Sequence, residues 1–210
     1  MPLINKPQAV NYLEKIVFFE VFGLALIFIK KTIMSDEYLI LVDENDQQWG
    51  KMEKLKVHQL GLLHRAFSIF IFNSKGQVLL QQRAADKYHS ANLWSNTCCS
   101  HPQFGEAMPQ ATKRRLQEEM GLDCTLTFAF KFVYKVNFSN GLSEHECDHV
   151  YFGYSDALPQ ANPLEVQNYK YIGLNELQEE LSKNADNYSE WLKICLNPLI
   201  NHQRNYQRSA

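Results

Sequence analysis

Cys98, Cys99 and His101 stand within one short stretch, Asn96-Thr97-Cys98-Cys99-Ser100-His101-Pro102. Thiols and an imidazole at this spacing are the groups of a metal clip, of half a disulfide or of a nucleophile; they also occur as plain core. An extended backbone turns Cys99 and His101 to one face and Cys98 to the other. Two adjacent thiols then do not easily face one ion. One goes toward a pocket and the other toward the core. Glu144-His145-Glu146 obeys the same alternation. If extended, it points both carboxylates one way, about 7 Å apart. Such a pair can share a cation or divide into ligand and base. Taken alone, it reads better as an exposed acidic loop after Asn140-Gly141.

Three histidines, His58, His64 and His101, would complete a mixed nitrogen and oxygen shell with Glu144 and Glu146, suited to zinc or manganese. Each histidine by itself is more simply a surface or core residue, and the dispersed spacing leaves the site open. Arg114 with Glu118 and Arg115 with Glu119 are i,i+4 pairs, a salt-bridged helix face when read in isolation. Lys54, Arg83, Lys87 and Arg115 lie near apolar strands. Ordinary solubility explains them singly; together they could neutralise a diphosphate, arginine by bidentate contact and lysine as a point charge.

Strands are expected at Tyr38–Val42, His64–Phe72 and Gln77–Gln82, the last two joined by an Asn73-Ser74-Lys75-Gly76 turn. Further strands are expected at Thr125–Val136 and Glu146–Tyr154. Ala111–Met120 reads as a helix closed by Gly121, Asn175–Leu181 as a helix with an N-cap asparagine, and about Tyr188–Leu199 as a last helix. The expected fold is α+β, a mixed sheet flanked by helices.

The 210 residues are 45% hydrophobic and 21% charged, an ordinary balance for one domain. A net charge of −2 argues against a nucleic-acid partner, so any bound anion must be held by a local cluster of cations. The five cysteines, an odd number with two adjacent, indicate reduced thiols and a cytoplasmic setting. Ile16–Ile29 is an apolar run of 14 residues carrying Glu20. It is short for a membrane span and lacks the marks of a signal peptide. Residues 1–33 are expected to be an accessory segment and residues 34–210 the domain. An interfacial membrane helix within 1–33 is the alternative.

Glu106-x7-Arg114-Arg115-Leu116-x-Glu118-Glu119-x-Gly121-Leu122 resembles the Nudix box, a loop–helix–loop whose carboxylates hold a divalent cation against a diphosphate. Ser100 stands where that box opens with glycine, and Arg115 where it has a metal-binding glutamate. A cation there argues against hydrolysis and for holding the diphosphate intact. HRAFS, LLQQRA, NTCCSHP, RRLQEEMG and SEHECD follow one another without large insertions over about Tyr38 to Trp191. Together they resemble the type 1 isopentenyl diphosphate isomerases, a divergent Nudix-fold family.

The resemblance implies a Nudix-like α/β/α sandwich and a 1,3-allylic proton shift between isopentenyl and dimethylallyl diphosphate. It implies Cys99 as the catalytic thiol, Glu146 as the carboxylate facing it and Tyr134 hydrogen-bonded near that glutamate. His58, His64, His101, Glu144 and Glu146 would hold zinc or manganese. Glu119, with the backbone carbonyl of Cys99, would hold a magnesium ion that arrives with the diphosphate. Lys54, Arg83, Lys87 and Arg115 would grip the diphosphate. Trp191 would place its π face against the isoprenoid, worth about 2 kcal/mol or more to a desolvated cation. The partner is then a small isoprenoid diphosphate and the expected state a monomer. A Nudix diphosphate hydrolase and a catalytically dead metal-binding or redox module are the rivals; neither explains the pairing of NTCCSHP with EHE.

Overall fold

The strand His64–Phe72 (β3) is aromatic or β-branched at Phe67 and from Ile69 to Phe72, and it is buried on both faces. That pattern demands cover on both sides of a sheet. In this computed structural model, which describes residues 37–87 and 89–209 with side chains as far as residue 201, the cover is helical. The segment 1–33 and the expected domain start at residue 34 lie outside the described residues.

β1 (Tyr38–Val42) and β2 (Gln48–Glu53) form an antiparallel hairpin that meets β3 at Leu41 and His64. The helix α1 (Lys54–Leu60) follows, its N-terminus capped by the Glu53 carboxylate on the Leu55 and Lys56 amides. β4 (Val78–Arg83) returns from β3 and pairs with β5 (Trp94–Ser95) and β9 (Val166–Ile172). β6 (Cys98–Ser100) pairs antiparallel with β3, setting Cys99 opposite Ser68. β7 (Leu126–Asn137) and β8 (Ser143–Tyr154) form a long hairpin. β8 runs parallel to β3 in continuous register, from His64 opposite Glu146 to Phe72 opposite Tyr154. The described strands make one mixed nine-stranded sheet.

α2 (Met108–Met120) covers one face, where Ala111, Leu116 and Met120 meet Phe67, Ile69 and Ile71 of β3. α3 (Leu174–Lys183) and α4 (Glu190–Ser209) cover the other, where Leu177, Leu192 and Leu199 meet Phe70 and Phe72. Successive β3 side chains thus feed opposite cores, the period-2 rule at work in a buried strand. The layers are the expected α/β/α arrangement. Gly121 ends α2 in the left-handed region at φ 63°, and an added Cβ would come within 2.8 Å of the Gln160 carbonyl oxygen. Only glycine meets both demands.

Several expectations shift. Gly173, not Asn175, is the N-cap of α3, and no side chain bonds its amides. α4 starts at Glu190 after a 3-10 turn, Ala185–Asn187, and runs about ten residues past the expected end. β2, α1, β5, β6 and β9 were not anticipated from the sequence. Cys147 and Cys195 are buried as expected, but Cys124 is half-exposed.

Candidate active site

The histidines and glutamates converge at the start of β3. His64 opens that strand and Glu146 lies opposite it on β8. Glu144 is two residues earlier on the same face of β8, His101 follows β6, and α1 delivers His58 from above. One ligand atom from each of the five lies within 4.8 Å of all the others, and all five residues are buried. The intervening His145 turns away, its Nδ1 3.0 Å from the Gly61 carbonyl oxygen.

Backbone carbonyls orient two of the rings. His58 Nδ1 lies 2.7 Å from the Lys54 oxygen and His64 Nδ1 2.9 Å from the Leu62 oxygen. A carbonyl only accepts, so Nδ1 carries a proton and Nε2 is the atom each ring turns to the cluster. Burial lowers the His58 pKa, but the Glu144 carboxylate beside it outweighs burial and raises it overall. His64 Nε2 is 3.2 Å from His101 Nε2, which is 2.9 Å from Glu146 Oε1. Glu144 Oε2 is buried and receives no hydrogen bond from the described residues. Imidazole nitrogens and carboxylate oxygens converging in a buried space are a donor set that fits a divalent cation. Burial pulls His101 down to about 4, against the attraction of Glu146, so its ring is neutral and ready to ligate. Burial pushes both glutamates up. His58 and His89 override it at Glu144, and His101 and His64 override it at Glu146, leaving both ionised.

The two cysteines part as the alternation required. Cys98 is wholly buried among Phe67, Ile69 and Leu116. Cys99 faces a pocket that Glu146 also lines. Burial pushes the Cys99 thiol up to about 12, while the Arg83 guanidinium, 3.9 Å from the sulfur, works the other way. Tyr134 donates its hydroxyl to Glu146 Oε2 at 2.7 Å. Trp191 enters from α4; its indole N–H donates to Ser95 Oγ at 2.8 Å and Asn96 Oδ1 at 3.1 Å. Its ring lies 5.2 Å from the Arg83 guanidinium.

Lys54, Arg83, Lys87 and Arg115 all line this pocket, as does Glu119. Arg115 donates to Glu119 at 2.6 Å and to Glu118 at 2.8 Å, and it is 3.3 Å from Glu165. Arg114 grips Glu106 in bidentate fashion at 2.7 and 2.8 Å, tying the loop before α2 to the helix. Of the residues singled out for the site from the sequence, all but His58 and His64 line this pocket, and those two join it through the cluster they form with His101, Glu144 and Glu146.

Sequence reasoning missed three lining residues. Gln81 donates to Glu119 Oε2 at 2.9 Å, Glu165 pairs with Lys87 and Arg115, and His89 lies 2.9 Å from Glu144 Oε1. The signal for His89 was faint: a histidine two residues after Lys87. A second cluster, Asp46, Cys147 and His149, lies elsewhere. There Arg65 at 2.7 Å and Lys131 at 3.2 Å already neutralise the Asp46 carboxylate.

The NUDIX domain family matches residues 62–192, the span that carries this sheet and pocket. The crystal structure of the DR0079 protein from Deinococcus radiodurans superposes with a TM-score of 0.58 at 23% identity, over 70% of this chain and 90% of that one, which fixes the fold alone. Sequence likeness narrows the class. Isopentenyl-diphosphate Delta-isomerase 2 of Aromatoleum aromaticum is 51% identical over 79% of this chain and 87% of its own length. The isopentenyl-diphosphate Delta-isomerase of Pectobacterium atrosepticum is 51% identical over 74% of this chain and 87% of its own. The chain belongs to the isopentenyl-diphosphate Delta-isomerase family of NUDIX-domain proteins.

Proposed function

We propose that this chain interconverts isopentenyl diphosphate and dimethylallyl diphosphate by a 1,3-allylic proton shift, a step of isoprenoid biosynthesis. The observation that carries the reading is a thiol and a carboxylate on opposite flanks of β3. Cys99 on β6 and Glu146 on β8 line one pocket whose rim bears four cations. The reaction asks for two proton-handling groups. One proton is added to the terminal carbon of the double bond, giving a tertiary carbocation, and another leaves carbon 2. No bond to phosphorus breaks.

Glu146 handles the proton at the terminal carbon, with the Tyr134 hydroxyl fixing Oε2. Cys99 handles the proton at carbon 2, with Arg83 beside the sulfur to stabilise a thiolate. The reaction is reversible, so each group is acid in one direction and base in the other. The Trp191 ring, pinned through its N–H, offers its π face to the carbocation. Burial of Glu146 and half-burial of Cys99 limit the water that would quench it.

Lys54, Arg83, Lys87 and Arg115 bind the diphosphate. His58, His64, His101, Glu144 and Glu146 would hold zinc or manganese, and Glu119 would hold a magnesium ion together with the diphosphate. Bound in the cluster, that first ion supplies charge that fixes Glu146 and shifts its proton affinity. The enzyme is read as a cytoplasmic monomer. Arg115, in ion pair with Glu118 and Glu119, replaces a carboxylate of the hydrolytic box and disfavours the hydrolase reading. Incubating the protein with isopentenyl diphosphate and following both products tests the proposal. Dimethylallyl diphosphate without phosphate release supports it; phosphate release without the isomer overturns it.

A further inference from the structure

Glu144 presents two different oxygens to two different surroundings. Oε2 faces the histidine cluster, 3.2 Å from His58 Nε2 and 3.9 Å from His64 Nε2. Oε1 faces the other way and lies 2.9 Å from His89 Nε2. His89 is outside the five-residue cluster, and its ring is buried. The ring is held on both sides. Phe138, at the start of the β7–β8 turn, stacks on it at 4.9 Å and 15°. Trp191 of α4 meets it edge-on at 6.0 Å and 89°. The backbone of the same segment is fixed as well: Arg83 Nη2 donates to the His89 carbonyl at 3.3 Å and Nε to the Ser90 carbonyl at 3.2 Å.

A carboxylate that ligates through one oxygen can swing about its Cγ–Cδ bond unless the other oxygen is held. Polar contacts of this outer kind orient ligands, and their loss commonly costs about 10- to 100-fold in metal affinity. We infer that His89 is a positioning residue for the metal cluster. Its Nε2–H donates to Glu144 Oε1 and leaves Oε2 as the ligating atom. This rests on the proposal that the cluster holds a divalent ion. His89 also links that cluster to the substrate wall. Arg83, which bonds its carbonyl, lies beside the Cys99 thiol, and Trp191, against its ring, is the proposed carbocation partner. A metal-loaded cluster, a fixed His89 ring and a correctly placed Arg83 are therefore mutually supporting.

The test is zinc affinity of the purified full chain, measured by competition with a chromophoric chelator, for the parent, His89→Leu and His89→Gln. Leucine fills the space without a donor, whereas the glutamine amide can still donate to Glu144 Oε1. Circular dichroism and the melting temperature of the zinc-free proteins show whether each variant is folded. The expected result is a 10- to 100-fold weaker zinc affinity for His89→Leu and a value closer to the parent for His89→Gln. Parent-like affinity in a folded His89→Leu protein overturns the inference, as does an equal loss in both variants. If the parent binds no zinc and no manganese, the metal reading itself falls and this inference with it.

Discussion

Removing one buried oxygen, in Tyr134→Phe, should slow catalysis sharply and leave the fold and the diphosphate grip intact. Tyr134 sits on β7 directly opposite Glu146 on β8. Its hydroxyl donates to Glu146 Oε2 at 2.7 Å, and both residues are buried. Phenylalanine keeps the ring and its stack on Phe132, at 5.7 Å and 29°. The lost interaction is a hydrogen bond to a charged acceptor, worth about 1.5–3 kcal/mol. If Glu146 handles the proton, that loss appears in the barrier as a decrease in kcat of about 10- to 160-fold. KM should change little, because Tyr134 is not one of the diphosphate cations. The assay is steady-state isomerisation of isopentenyl diphosphate, with bound zinc and the melting temperature measured on the same preparation. Parent-like kcat in the folded, metal-loaded variant would refute the role given to this pair. So would a loss of kcat that tracks loss of metal.

Three other outcomes follow from the same geometry. Cys98→Val should cost less than about 1.5 kcal/mol of stability and keep activity, because the thiol is wholly buried beside Phe67, Ile69 and Leu116, with Glu119 as its polar neighbour, and does not line the pocket; chemical denaturation and the isomerase assay check it. Phe70→Ala should cost about 3–5 kcal/mol, since that ring is fully buried between β8 and the α3–α4 layer, and urea titration reads it. The bidentate Arg114 contact, opposed by some burial, holds the Glu106 carboxyl below its ordinary range. A depressed carboxylate adds stability that is fully present above its unfolded value and lost as pH falls through its folded value. Glu106→Gln should therefore cost about 1 kcal/mol at pH 7 and progressively less below about pH 4.3, as parallel melts of parent and variant across pH would show.

The sequence revealed most clearly what depends on residue type and short-range alternation. Alternation alone separated Cys98 from Cys99 and turned Glu144 and Glu146 away from His145. The buried strand β3 announced itself by its composition. The gathering of five metal-type residues did not follow from spacing, because it depends on the parallel register that sets His64 opposite Glu146. A parallel register joins segments some eighty residues apart and leaves no local trace. β2 escaped notice for a different reason. Gln48–Glu53 is largely exposed and carries no apolar alternation to mark it. His89 and Glu165 act from loops, where function lies in which long-range partner they meet.

The central claim is that Cys99 and Glu146 shuttle protons across an intact isoprenoid diphosphate. Its most direct test is isomerisation in deuterium oxide, comparing the parent with Cys99→Ala and reading products by mass spectrometry and phosphate release together. The account predicts that the parent yields dimethylallyl diphosphate carrying solvent deuterium, with no phosphate released, and that a folded Cys99→Ala protein forms essentially none. Isomerisation by Cys99→Ala at the parent rate, or product without solvent deuterium, would contradict it.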